Sequence, residues 1–158
     1  MSVSNSNKFA IAEMLIRKPI NDVFTAFVDP AITTKFWFTK STGSLIQGKT
    51  IKWTWEMYDV SIDIKVTDIL PHSKIQFTWG NANQNSNVEI TFTQLDETKT
   101  FVSIKNSGFT GTEDEIVSSI RDATGGFSWV LSGLKAYLEY DIQLNLIADR
   151  YPKAIRDH

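Results

Sequence analysis

The chain has 158 residues, of which 42% are hydrophobic and 12% aromatic, so it is the size of one domain and can bury roughly two-thirds of its unfolded surface. The formal net charge is -2 and Lys and Arg form no block, which excludes the basic face that nucleic-acid binding requires. Because it has no cysteine, a polar start unlike a signal peptide and no apolar run near ~20 residues, we predict a cytoplasmic protein without disulfide or membrane span.

The first predicted elements are a strand and two short helices. Residues 9–17 alternate as a strand does, and Pro19 ends it. Asp29-Pro30 then breaks a first short helix before a second one over residues 31–38. No single helical face can bury the three consecutive aromatic residues that end this segment, so at least one is expected to reach another element or a pocket. They are Phe36, Trp37 and Phe38.

The middle of the chain predicts about five more strands. Apolar and polar side chains alternate in segments 51–57, 60–66, 75–79, 88–92 and 102–104. Short turns and a polar, Asn-rich loop over residues 80–87 join them, as in an antiparallel meander with one solvated face. The inward phase carries most of the large rings, which are Trp53, Trp55, Phe77, Trp79 and Phe92.

The last long pattern, residues 112–148, predicts one helix. Thr112 and Glu115 have the spacing of a capping box, and the apolar stripe keeps its phase across Gly125 and Gly126. From residue 127 onward apolar residues cover most of the circumference, which indicates a helix sunk in a groove. The stripe comprises Ile116, Ile120, Ala123, Phe127, Leu131, Leu134 and Leu138.

Two small residues interrupt the large ones on this helix. Gly133 and Ala136 lie among aromatic and leucine side chains. Such residues either allow another backbone to approach closely or form the wall of a cavity. Both interpretations remain open at the level of sequence.

Four local patterns occur in a fixed order over residues 9–149. The first pattern, near the start, consists of Pro19, Val23-Phe24, Asp29-Pro30 and Phe36-Trp37. Pro71 with Phe77-Thr78-Trp79, and the segment TFVSIKNSGF over residues 100–109, follow in the middle. The final helix adds Gly126-Phe127, Leu131, Leu134 and Leu138-Glu139. Together they resemble the START-like, or SRPBCC, superfamily, and within it the branch of activator of heat shock protein 90 ATPase homologue-like proteins.

This resemblance implies an α+β helix-grip fold, with a curved antiparallel sheet of about six strands wrapped around a long C-terminal helix and two short helices after the first strand. It implies one START-like domain over residues 1–158, with a core of about 9–149, and a hydrophobic cavity between sheet and helix. Two departures are that Phe127 replaces the family's usual Trp and that Gln47-Gly48 replaces a common Gly-Gly pair. Members include binders, cyclases and cochaperones, so no reaction follows from the fold.

Few residues suggest catalysis. The two histidines, His72 in a predicted turn and His158, cannot build a metal centre or a triad, and no glycine pattern suits a phosphate. We therefore predict no metal, no cofactor and no catalytic residue. Asp141 lies at the edge of the apolar stripe, where it either enters the interior or emerges into solvent. Asn106, on the inward phase of the last strand, is a second polar candidate or a turn residue.

The predicted function is binding of a hydrophobic or amphipathic small molecule in the cavity, so the expected partner is an apolar small molecule. One alternative, implied by the resemblance, is an interaction protein of stress response whose partner is a chaperone and whose effect is to stimulate the chaperone ATPase. Another is a cyclase or hydrolase that uses Asp141 with Tyr137 or Asn106. The predicted ligand-binding residues are Trp37, Trp53, Trp55, Phe77, Trp79, Phe92, Phe127, Leu131, Leu134, Tyr137 and Asp141.

Overall fold

The protein, seen in a computed structural model, is described over residues 8–80 and 85–156, so residues 81–84 of the predicted polar loop lie outside the described residues. Seven strands form one antiparallel sheet in the order β1-β7-β6-β5-β4-β3-β2, which confirms the α+β class. The strands are β1 (Ala10–Ile16), β2 (Lys40–Ser41), β3 (Thr50–Trp55), β4 (Val60–Leu70), β5 (Lys74–Trp79), β6 (Ser86–Asp96) and β7 (Lys99–Ser107). The prediction of about six strands missed β2, a two-residue edge strand too short to show alternation.

The two short helices after β1 are confirmed as α1 (Ile20–Val28) and α2 (Pro30–Thr33). The Asp29 carboxylate accepts a hydrogen bond from the amide of Ala31 at 3.0 Å, so this residue ends one helix and caps the next. The predicted second helix was too long, because α2 stops before the three consecutive aromatics. Because these residues lie outside α2, they need not share one helical face, and all three rings are buried.

The long helix α3 (Glu113–Tyr140) begins as predicted, with the capping box between Thr112 and Glu115 in place and no break at the glycine pair. The prediction that it runs to residue 148 was wrong. Asp141 takes a left-handed conformation with φ of 55°, and its amide donates to the carbonyl of Tyr137 at 2.9 Å, which ends the helix. Two short helices follow, α4 (Leu146–Arg150) and α5 (Lys153–Arg156).

The core lies between the concave face of the sheet and α3. The inward phase predicted for the strands is confirmed, since Trp53, Phe77 and Val102 are at most 1% exposed. On the helix, Leu131 and Leu134 are fully buried. No helix in the described ranges is long and apolar enough to cross a membrane.

Polar contacts fix the C-terminal end of α3 to the end of β1. The Glu139 carboxylate accepts from the amide of Arg17 at 2.9 Å and from the Lys135 ammonium at 2.7 Å. Lys135 also donates to the carbonyl of Leu15 at 2.9 Å. Burial raises the pKa of Glu139, but these two donors outweigh it and hold the pKa of the carboxyl below its ordinary value of 4.5. This end of the helix is therefore held in one position.

Candidate functional site

A cavity of about 350 Å³ lies between the sheet and the middle of α3. Exposed residues among its walls, Val60, Asp122 and Tyr151, mark its mouth. The walls come from β3, β4, β5, α3 and α4, from the turn between β3 and β4, and from the residues that follow α2 and α4. They comprise Trp37, Trp55, Tyr58, Val60, Ile62, Trp79, Asp122, Ala123, Gly126, Phe127, Val130, Ile147, Arg150 and Tyr151.

Four rings form what we call the aromatic wall: Trp37, Trp55, Trp79 and Phe127. Trp79 and Phe127 are stacked, with centroids 5.7 Å apart and an angle of 24° between the rings. Trp37 meets both of them edge-on at 6.0 Å, and Trp55 meets Trp79 at 6.3 Å. Each ring is thus held by another ring of the wall, which gives the cavity a defined apolar surface. These four are the predicted ligand-binding residues that line the cavity.

Five other predicted residues lie in the packed core beside the cavity. Trp53 stacks on Phe38 at 4.3 Å and meets Phe77 at 5.3 Å. It also contacts Trp37 at 4.9 Å and Trp55 at 6.4 Å, so it is surrounded by other rings. Phe92 lies under α1. The five, none of which lines the cavity, are Trp53, Phe77, Phe92, Leu131 and Leu134.

The remaining predicted candidates do not reach the cavity either. Asp141 is exposed at the end of α3, and Tyr137 is half-buried outside the cavity walls. Asn106 is buried, but its amide donates to Ser86 Oγ at 2.9 Å and to the carbonyl of Asn87 at 2.8 Å. Asn106 therefore ties two strands together, and these three polar residues do not converge on a site in the cavity.

The small residues of α3 differ in what lies opposite them. A Cβ on Gly133 would lie 3.2 Å from Phe36 Cβ and 3.4 Å from the Phe36 carbonyl oxygen, so this glycine allows close packing. Ala136 does not line the cavity. Ala123 and Gly126 do line it, and their small size leaves the space that the cavity occupies.

The C-terminal segment closes one side of the cavity, which sequence reasoning missed. Ile147, Arg150 and Tyr151 line it, and the hydroxyl of Tyr58 donates to the carbonyl of Ile147. The prediction of one helix through residue 148 placed Ile147 on a straight continuation of α3 and gave no position to Arg150 or Tyr151. The available signal was the pair Asp141 and Asn145, since both residues tolerate the left-handed conformation that they adopt here.

The Arg150 guanidinium lies directly on the glycine pair of α3. A Cβ on Gly125 would be 2.9 Å from Arg150 Nη2, and one on Gly126 would be 3.2 Å from Nη1. Nη1 donates to the carbonyl of Asp122 at 3.4 Å. The glycines that interrupt the helix pattern thus make room for an arginine. Within the described ranges no three side chains cluster as metal ligands would.

Comparisons with known proteins agree with this architecture. The protein SSP2350 from Staphylococcus saprophyticus is 32% identical, with a TM-score of 0.75 over 86% of this chain and 95% of that one. The Aha1 dimer from Colwellia psychrerythraea and PFC0360w, an HSP90 activator from Plasmodium falciparum, are each 18% identical over 84% of this chain and 96% of theirs. Their TM-scores are 0.71 and 0.67, so they share the fold.

Among proteins whose functions have been curated, none matches this sequence significantly. Residues 17–139, however, match the family described as "Activator of Hsp90 ATPase homolog 1-like protein". That match spans most of the sheet and nearly all of α3, including the aromatic wall. The chain therefore belongs to the Activator of Hsp90 ATPase homolog 1-like family.

Proposed function

We propose that the protein binds an apolar or amphipathic small molecule in the cavity beside the aromatic wall. The observation that carries this proposal is a space of about 350 Å³ bounded mostly by apolar side chains. Protein interiors are close-packed and contain few voids larger than a water molecule, whereas ligand pockets occupy roughly 300 to 1,000 Å³. A space of this size at the sheet and helix interface suits a ligand better than a packing defect.

The rings of the aromatic wall hold one another in place. Phe127 is stacked on Trp79 and met edge-on by Trp37, so its position is set by two neighbouring rings. A ligand that meets preformed walls loses less free energy to side-chain ordering on binding. Flat aromatic or alicyclic skeletons fit such a surface best, because large ring faces contact them over a wide area.

The experiment is a titration with N-phenyl-1-naphthylamine, a neutral apolar fluorophore, together with a panel of fatty acids, flavonoids and aromatic polyketides. Saturable probe fluorescence and a matching change in Trp emission are expected, since three Trp residues line the cavity. Ala123→Leu adds volume into the cavity and should weaken binding at least about tenfold while changing the melting temperature little. Ala136→Leu adds the same atoms to the same helix outside the cavity walls and should retain binding.

Absence of saturable binding by the parent protein to any of these molecules contradicts the proposal. Equal loss of binding in Ala123→Leu and Ala136→Leu also contradicts it, because the effect would then follow from helix packing rather than from occupancy of the cavity.

The cytoplasmic location and the role in stress response stay predictions.

A second candidate function is stimulation of a chaperone ATPase. Family membership supports it, as does the shared fold with the HSP90 activator from Plasmodium falciparum. The test adds the protein to an Hsp90 ATPase assay, with Ala123→Leu as the comparison. If the parent protein and Ala123→Leu stimulate the ATPase equally, the activity depends on the protein surface and not on the cavity.

A further inference from the structure

We infer that the ligand of this cavity is an amphipathic anion, whose apolar part contacts the aromatic wall and whose anionic group pairs with the Arg150 guanidinium at the mouth. This inference rests on the proposed function and specifies the ligand's chemical class. It is carried by the unequal distribution of polarity in the cavity, which has an apolar interior and one half-buried cation at its edge.

The interior of the cavity is mostly apolar. Besides Asp122 and Arg150, the polar side-chain groups among its walls are the Tyr58 hydroxyl and the indole N–H groups of Trp37, Trp55 and Trp79. A polar group carried deep into the cavity would therefore lose most of its hydration and gain few hydrogen bonds in return. The buried end of the ligand is accordingly apolar, and any polar group it carries stays at the mouth.

At the mouth, Arg150 has donors to spare. Its guanidinium lies over the Tyr151 ring, with Cζ 5.1 Å from the centroid, and makes one long hydrogen bond of 3.4 Å to the Asp122 carbonyl. No carboxylate in the described ranges forms an ion pair with it. A guanidinium carries five N–H donors in a planar fork, the geometry that carboxylate, sulfonate or phosphate oxygens match.

The glycine pair of α3 makes room for this guanidinium and so determines where it lies. Two adjacent glycines destabilise a helix interior, yet they stand where any side chain would meet Arg150. The arginine is thereby held at the cavity edge by contacts on both sides, the helix backbone below and the Tyr151 ring beside it. A cation held in place binds an anion with less loss of side-chain entropy than one on a free stem.

One negative group opposes the anion. Asp122 is the other charged residue among the walls, and it forms no ion pair with a cation in the described part of the chain. Its side chain is exposed and therefore well screened, whereas Arg150 is half-buried. The balance favours an anion, and removal of the Asp122 charge should strengthen that preference.

The test compares two probes that share one ring system. N-phenyl-1-naphthylamine is neutral, and 8-anilino-1-naphthalenesulfonate adds a sulfonate to the same rings. In the full chain, Arg150→Gln should weaken the sulfonate probe about tenfold and the neutral probe much less, because a charge-assisted hydrogen bond is lost. Arg150→Lys should recover part of the loss, and Asp122→Asn should tighten the sulfonate probe a few-fold.

Two controls separate position from charge. Arg121→Gln removes one positive charge from an exposed site on the same helix outside the cavity walls, and it should leave the ratio of the two affinities unchanged. Gly125→Ala keeps every charge but forces the guanidinium to move, so it should weaken the sulfonate probe selectively. Melting temperatures confirm that each variant is folded.

The inference is overturned if Arg150→Gln weakens both probes equally, or if Arg121→Gln has the same effect as Arg150→Gln. In either case the neutral probe still binds the parent, and the proposed function stands. If neither probe binds the parent in a saturable way, the proposed function fails and the inference fails with it.

Discussion

Two adjoining segments of α3 meet the same sheet in different ways. Toward its C-terminal end, Leu131 and Leu134 are fully buried and Glu139 is bonded to the amide of Arg17. In the middle of the helix, Ala123 and Gly126 face a cavity of about 350 Å³. Within residues 122–140 of this continuous helix we therefore distinguish a packed half, residues 131–140, and an open half, residues 122–130.

The difference shows how a single interface can serve stability and binding together. Side-chain volume fills the space between sheet and helix in the packed half and leaves it empty in the open half. The packed half stabilises the fold and sets the position of the helix. The open half can then keep a cavity without loss of the surrounding structure, since its walls are supported by rings that contact one another.

The largest expected effect comes from truncating a buried side chain in the packed half. Leu134→Ala should lower the free energy of unfolding by about 2 to 5 kcal/mol, because the removed atoms are fully buried and the surroundings cannot collapse into the void. Ile147→Ala, in a half-buried residue that borders the cavity, should cost roughly 1 kcal/mol. Urea denaturation measures both.

Hydrogen exchange offers an independent view of the same contrast. Amides near residues 131–138 should exchange most slowly within α3. Equal costs for the two truncations, together with uniform exchange along the helix, would show that the two halves do not differ.

The next effect concerns the two kinds of glycine. Gly133→Leu should destabilise the protein by roughly 1 to 3 kcal/mol, since the Phe36 backbone lies within 3.4 Å of the new Cβ and cannot move aside. Gly126→Ala meets only the flexible tip of Arg150, at 3.2 Å, and should be neutral or stabilising by up to ~1 kcal/mol through helix propensity. Thermal unfolding compares them, and a reversed order would contradict the assignment of packed and open halves.

A smaller effect should follow from Glu139→Gln, which removes the charge that bonds the packed half to β1. At about pH 7 we expect a loss of roughly 1 to 2 kcal/mol. Because the folded-state pKa lies below the ordinary 4.5, this contribution is present above that pH and is lost as pH falls through the folded-state value. Parent and variant should therefore converge in acid.

Unfolding curves collected from neutral pH down to about pH 3 measure this convergence. Glu113→Gln is the control: it breaks an ion pair with Lys8 in which the carboxylate is 82% exposed, and it should leave stability nearly unchanged at every pH. A gap between parent and Glu139→Gln that widens in acid would contradict the assigned direction of the pKa.

The smallest effect is expected at His72, an exposed turn residue whose Nε2 lies 3.1 Å from Asn21 Oδ1. It has φ of 61°, which Asn tolerates well, so His72→Asn should change stability by less than about 0.5 kcal/mol and leave probe binding unaltered. A large change in stability or in probe binding would show that His72 contributes to the fold or to the cavity, contrary to this expectation.

The sequence predicted the elements whose side chains repeat with a clear period. Alternation placed Trp53 and Phe77 inward on their strands, and the capping-box spacing placed the start of α3 at Thr112. Periodicity could not predict the end of that helix, because Asp141 ends it through a local left-handed conformation that does not change the repeat of apolar residues. Periodicity also treats every inward ring alike, so it could not separate Trp55 at the cavity from Trp53 in the core.

Tertiary contacts account for the other differences. The role of Gly133 depends on Phe36, and the role of Gly125 depends on Arg150, each far away in the chain. Gly133 and Gly126 are the same residue type on one helix, yet Gly133 lies against the Phe36 backbone and Gly126 borders the cavity beside the aromatic wall. Only the opposing surface distinguishes them.

The most direct test of the open half is a two-dimensional NMR titration with N-phenyl-1-naphthylamine. We expect saturable shifts of the indole signals of Trp37, Trp55 and Trp79 and of the Ala123 methyl, while the Leu134 methyls in the packed half stay unshifted. Shifts that never saturate, or that are as large at Leu134 as at Ala123, would contradict a ligand cavity in the open half.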